Sequence, residues 1–267
     1  MNNSTRAFIL NLAAAILILM TAGCASTGST DLAERSAGLN SKSPIRAAEI
    51  NTRLGIGYLE RGQLEVALEK LQTAIVHDSR HVPAHFALAL LYERLGDDRN
   101  AERHYKAADR LAPNDGGVQN AYGVYLCRQR DFRDAETHFQ RALQDPFYTT
   151  PEVALTNAGS CARRSGQQEQ AIEYMRQALS IDSANSDALY NLAEIYYEQG
   201  DAFRARAFLQ RLEANGTAEA AAFYLGFRIE SNLGNQAEAR RYAVLLERDY
   251  PSSPETERMR RSNRNDS

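Results

Sequence analysis

Two hydrophobic patterns divide the chain. Residues 7–20 are apolar except for Asn11; they follow a short segment carrying one positive charge, Arg6, and lead into Thr21-Ala22-Gly23-Cys24. An apolar run of about 14 residues is short for a helix crossing a bilayer, which needs roughly 20. The three-part layout is that of a secretory signal, removed on export, over residues 1–23. From residue 48 onward the pattern changes to helical spacing, and the same kinds of residue return about every 34 residues. Leu54-Gly55, Tyr58, Ala67, Leu71 and Ala74 begin the series. Leu88, Ala89, Tyr92, Ala101, Tyr105 and Ala108 repeat it, and Tyr122, Gly123, Leu126, Ala135, Phe139 and Ala142 repeat it again. After a small shift at residues 145–151, it continues through Ala158-Gly159 and Ala171, Leu192-Ala193 and Ala205, and Leu225-Gly226 and Ala239.

Each recurrence has a physical reason. Gly or Ala after a large apolar residue of a first helix lets a second helix come close, and the recurrent Ala of the second helix is expected to fill the other side, small against small. Gly at 62, 96, 166, 200 and 234 is placed to end each first helix in the left-handed conformation; the third copy has Arg130-Asp131 there. These marks resemble the tetratricopeptide repeat. The resemblance implies an all-α fold, a right-handed superhelical solenoid of about six helix-turn-helix repeats. The repeats fall at residues 48–81, 82–115, 116–149, 152–185, 186–218 and 219–253. The Ser-, Thr- and Gly-rich stretch within residues 24–47 reads as a lipidated flexible tether, and residues 254–267 as a polar tail.

In this family the concave face is lined mainly by first helices. The corresponding positions here include Ile56, Leu59, Phe86, Leu90, Asn120, Val124, Arg163, Tyr190, Tyr197, Phe223 and Phe227. Apolar residues that no repeat core requires are candidates for partner contact; the competing account is packing against a neighbouring helix. Thr52, Cys127, Thr156, Ser160, Glu194 and Glu198 fall in the same register.

Composition and charge narrow the functional classes. Ala, Leu, Glu, Gln and Arg are abundant while Pro (7) and Trp (0) are scarce, a mix that favours helices. A net charge of −3 supplies no field for phosphate backbones, so nucleic acid is not an expected partner. His77, His81 and His85 are spaced by four, but Asp78-Ser79 and Pro83 put a turn among them, so they read as solvated rather than metal-binding. His104 and His138, at one repeat position, are expected on the solvent-facing side. Cys127 and Cys161 lie on adjacent first helices at different repeat places, twelfth and tenth; this weighs against a disulfide and favours two small hydrophobes. No phosphate-binding glycine loop and no nucleophile elbow appears in the sequence. The expectation is a binding protein with no enzymatic activity, cofactor, metal or small-molecule substrate.

Thr21-Ala22-Gly23-Cys24 resembles the bacterial lipobox, with Thr21 in place of the usual Leu. That resemblance implies a covalent lipid on Cys24, and Ala25 in place of Asp at the sorting position implies the outer membrane, facing the periplasm. Further segments are similar to the pilotin lipoproteins of type IV pilus systems, also called pilus biogenesis and stability proteins. They are the run from Leu54 to Gly62, Gln119-Asn120-Ala121-Tyr122-Gly123, the run from Phe223 to Arg228, and Tyr250-Pro251-Ser252-Ser253. Members of that family bind subunits of the secretin and bring them to the outer membrane for ring assembly, so the implied partner is the secretin. The alternative is a repeat lipoprotein serving another envelope machine, such as β-barrel assembly or peptidoglycan synthesis.

Overall fold

The computed structural model describes residues 28–265, with side chains from residue 43 to residue 262. The signal segment, Cys24 and Ala25 therefore lie outside the described residues. Among the described residues there are thirteen helices and no strand. They group into two compact units, one ending at Ala101 and the other beginning at Glu102.

The first unit contains α1 (Gly28–Glu60), α2 (Leu64–His77), α3 (Val82–Arg94) and the first turn of α4 (Asp98–Leu111). Helices α1 and α2 form a hairpin, and α3 packs against both. Ala67, Leu71, Ala74, Leu88 and Leu91 are buried in its interior. At Gly55 small meets large: a Cβ there would stand 2.5 Å from Leu71 Cγ, so α1 approaches closely because α2 places a leucine in the vacated space. The guanidinium of Arg94 donates to the Leu59 carbonyl at 2.6 Å, tying α3 to the end of α1.

Residues 28–47, expected as a flexible tether, are instead the first half of α1, with Pro44 inside the helix. Once Ala48 and Thr52 are packed, adding turns costs little compared with nucleation, and Leu32, Ala33, Glu34 and Arg35 are good helix formers.

The second unit continues with α5 (Gly116–Arg128), α6 (Phe132–Gln144), α7 (Pro151–Arg164), α8 (Gln168–Ile181), α9 (Ser186–Glu198), α10 (Ala202–Ala214), α11 (Ala220–Asn232), α12 (Gln236–Asp249) and α13 (Pro254–Asn265). Each odd-numbered helix from α5 to α11 pairs with its successor, and the first helices α5, α7, α9 and α11 also touch in sequence. Two layers result, first helices on one side and second helices on the other. The expected small-to-small contact is again small to large: Gly123 receives Phe139, Gly159 receives Met175 and Gly226 receives Tyr242. The recurrent Ala lies one turn away and contributes its backbone, as the carbonyls of Ala135 and Ala171 show.

The helix ends follow the sequence. Gly166 and Gly200 have φ of +84° and +79°, and Arg130 takes the same left-handed conformation at +67°. Around it the Arg130 amide donates to the Cys127 carbonyl and the Asp131 amide to that of Leu126, the paired bonds that close a helix through a left-handed residue. The connection at residues 145–150 is also fixed: Asp145 accepts from the amides of Gly116 and Phe147 at 2.8 and 2.9 Å.

The polar tail is a correction. Residues 254–265 form α13, which packs on α11 and α12. Thr256 and Met259 are buried, and the Thr256 hydroxyl donates to the Tyr250 carbonyl at 2.7 Å. The outer face of the last pair is apolar and needs a cover with a polar exterior. Two inward side chains in an otherwise charged segment supply it.

Candidate functional site

The first-helix face is the candidate binding surface, and each unit carries its own part. In the first unit Ile56, Phe86 and Leu90 are half-buried. Leu59 is only 9 % exposed and belongs to the core, so it offers a partner little area. Thr52 is buried too, its hydroxyl donating to the Ala48 carbonyl at 2.8 Å.

In the second unit the face starts with Asn120 and Val124 on α5. The Asn157 amide of α7 donates to Asn120 Oδ1 at 3.0 Å, a polar tie across the layer. Next comes a disulfide: Cys127 and Cys161 are bonded, with their Cα atoms 5.8 Å apart. The two repeat places differ, which in the sequence weighs against this bridge, but front-to-back stacking requires them to differ. One first helix uses its forward side and the next its rear side, and two places on an α-helix turn the side chain through about 200°. Thr156 is buried, its hydroxyl bonded to the Glu152 carbonyl.

Farther along, Arg163 reaches from α7 to α9. It donates to Glu194 at 2.5 Å, Glu198 at 2.7 Å and Asn191 at 3.4 Å. Tyr190 lies beside this network; burial, reinforced by the charge of Glu194, pushes its hydroxyl up to about 12, so it stays a neutral donor. The Arg228 guanidinium of α11 sits 4.5 Å from the Tyr197 ring centroid and 5.8 Å from that of Tyr224, within cation–π range. Arg228 has no ion-pair partner among the described residues, so this cation is carried on aromatic faces. Two expected groove residues are committed elsewhere. Phe227 is buried at 6 % exposure, and Phe223 packs against Tyr242 and Tyr250, at centroid distances of 6.4 and 6.0 Å. Helix α11 begins at Ala220, and in this phase Phe223 faces its own hairpin partner.

The histidines are also corrected. His85, His104 and His138 are buried. Nδ1 of His138 donates to Gln119 Oε1 at 2.6 Å, and Gln119 Nε2 donates to Asp109 at 2.7 Å, a chain that links α4, α5 and α6. Burial lowers the His138 pKa against the opposing pull of Asp109. A second network joins α6 and α8, where the Gln140 amide donates to Tyr174 Oη at 2.6 Å and that hydroxyl donates to Glu136. Gln140 and Tyr174 are one repeat length apart, so polar residues recurring at that interval on second helices were the available signal. Among the described residues no group of three or more His, Cys, Asp or Glu could hold a metal ion, and no helix is long and apolar enough to cross a membrane.

Comparison with known proteins matches this architecture. The tetratricopeptide repeat matches residues 52–116 and 123–187 in one form and residues 162–226 in another. The type IV pilus assembly protein PilF of Pseudomonas aeruginosa is 26 % identical over 242 residues, 91 % of this chain and 95 % of that protein. The crystal structure of PilW, described as a widely conserved type IV pilus biogenesis factor, superposes with a TM-score of 0.74 at 26 % identity, over 79 % of this chain and 96 % of PilW. The structure of Pseudomonas aeruginosa PilF gives 0.73 at 26 % identity, over 82 % and 99 %.

Proposed function

Because the chain belongs to the tetratricopeptide repeat family and is homologous to PilF and PilW, we propose that it serves type IV pilus biogenesis as an outer-membrane lipoprotein that binds the pilus secretin. The observation that carries this reading is the near end-to-end correspondence with PilF, over 91 % of this chain and 95 % of that protein. A generic repeat protein would match over its repeats alone.

In this reading, lipid on Cys24 takes the protein along the outer-membrane sorting route, and Ala25 permits that route. Several acyl chains together anchor stably, since each buried CH₂ contributes about 0.8 kcal/mol. The first-helix face holds a secretin segment, so carrier and cargo reach the outer membrane together and the ring assembles there. The Cys127–Cys161 bridge supports an address beyond the cytosol, where thiols are kept reduced. Half-buried aromatics together with Arg163 and Arg228 give the face the residue types that dominate binding hot spots.

The test is genetic and biochemical. Cys24→Ser or Ala25→Asp should leave secretin multimers in the wrong membrane fraction and reduce twitching motility. Secretin rings present in the outer membrane at normal abundance in both strains would contradict the proposal.

A further inference from the structure

The connection between α10 and α11 lacks the side-chain cap found before α5 and α9, and a cavity opens beside it. Before α5 and α9 an acidic or amide side chain caps the helix: Asp115 accepts from the Val118 amide at 3.0 Å and Asn185 from the Ala188 amide at 2.9 Å. Glu219 holds that place before α11, yet its side chain caps nothing. Asn215 donates instead to the Ala184 carbonyl at 3.1 Å, and Thr217 makes a 2.6 Å hydroxyl contact with Ser186 at the start of α9. These two bonds hold the connection against the preceding turn. The cavity has a volume of about 390 Å³ and is lined by Ser186, Asp187, Tyr190, Leu212, Thr217 and Glu219, with two alanines completing the wall. That size falls within the range of small-ligand sites, roughly 300–1,000 Å³.

Its charge is one-sided. Asp187 and Glu219 are carboxylates, and no lining residue is basic. Neighbouring acids are committed: Glu194 and Glu198 to Arg163, Glu213 to Arg241 and Glu230 to Arg206. Asp187 and Glu219 form no ion pair among the described residues. Cations stand nearby, but none lines the cavity: Arg163 is neutralised by its two glutamates, Arg228 keeps its charge on the face of Tyr197, and Arg211 donates to the Ser183 carbonyl. Tyr190 and Leu212 offer apolar surface for an alkyl stem, and the carboxylates and the hydroxyl pair offer acceptors for a charged head. Long basic side chains have this division, an apolar stem and a cationic tip.

We propose that this cavity receives a basic side chain, arginine or lysine, of the segment bound on the first-helix face. The inference rests on the peptide-binding reading above and adds the chemistry of the residue recognised. Both carboxylates also sit at helix N-termini, where acids stabilise the helix, so the test separates charge from folding. The isotope-labelled full chain is titrated with N-acetyl-arginine amide and, in parallel, with the uncharged isostere N-acetyl-citrulline amide, and followed by NMR. The arginine probe should shift the signals of Tyr190, Thr217 and Ala221, and citrulline should bind at least tenfold more weakly. Asp187→Asn with Glu219→Gln should weaken arginine binding at least tenfold. Ala221→Leu, which fills the cavity without touching a charge, should abolish it while the melting transition stays cooperative. Equal binding of the two probes, unchanged binding by both variants, or no shift at these residues would overturn the proposal. The probe contains no secretin sequence, so its failure with secretin capture intact removes this inference alone.

Discussion

Arg130 stands where other turns between paired helices place glycine, and it adopts their left-handed conformation at a φ of +67°. A side chain there costs roughly 1–2 kcal/mol of backbone strain, partly offset because glycine loses more freedom on folding. Arg130→Gly is therefore expected to stabilise the protein by about 1 kcal/mol in denaturant unfolding; a lower midpoint would mean that the arginine makes contacts outweighing the strain. His138 gives a pH-dependent prediction. Burial depresses its pKa in the folded protein below the ordinary 6.5. As pH falls through about 6.5 the unfolded chain takes up the proton first, so stability is full above that value and declines below it. The melting temperature of the parent should fall more between pH 7 and pH 5 than that of His138→Asn. Parallel curves for the two proteins would show that His138 does not titrate in this window.

At the scale of elements, pairing and turns were legible because they depend on small residues and glycines at a fixed interval, and those marks survive without any alignment. What escaped depended on phase and on partners. Equivalent repeat places conceal the Cys127–Cys161 bridge, because stacked copies meet on opposite sides of successive helices. A polar residue beside a core aromatic reads as solvent-facing until a partner is known; His138 is buried with Gln119 Oε1 accepting its hydrogen bond. Register places Leu59, Phe223 and Phe227 in the groove, whereas helix rotation turns Leu59 and Phe227 into the core and Phe223 onto Tyr242 and Tyr250. Helix α13 was missed because Thr256 and Met259 are too few to make a periodic signal in a charged segment. The bridge closes a separation of 34 residues, and in the chain-entropy account such a loop contributes about 4 kcal/mol. Cys127→Ser with Cys161→Ser should lower stability by about that amount in denaturant titration, and reductant should bring the parent to the same midpoint. Matching midpoints for oxidised parent and variant would contradict a stabilising role.

For the molecule as a whole, the proposed function combines two features: a lipid on Cys24, and a first-helix face set with half-buried aromatics and arginines. Under that proposal neither is sufficient, since an anchor without the face would carry nothing and a face without the anchor would deliver nothing. The account distinguishes this face from the exposed surface of second helices, where Val244 on α12 is 60 % exposed. Site-specific photo-crosslinking in cells tests that distinction most directly. A photoreactive phenylalanine analogue replaces either Tyr197 or Val244, and adducts are identified by mass spectrometry. The account predicts a secretin adduct from position 197 and none from position 244. A secretin adduct from 244 alone, or adducts from 197 composed only of β-barrel-assembly or cell-wall enzymes, would contradict it.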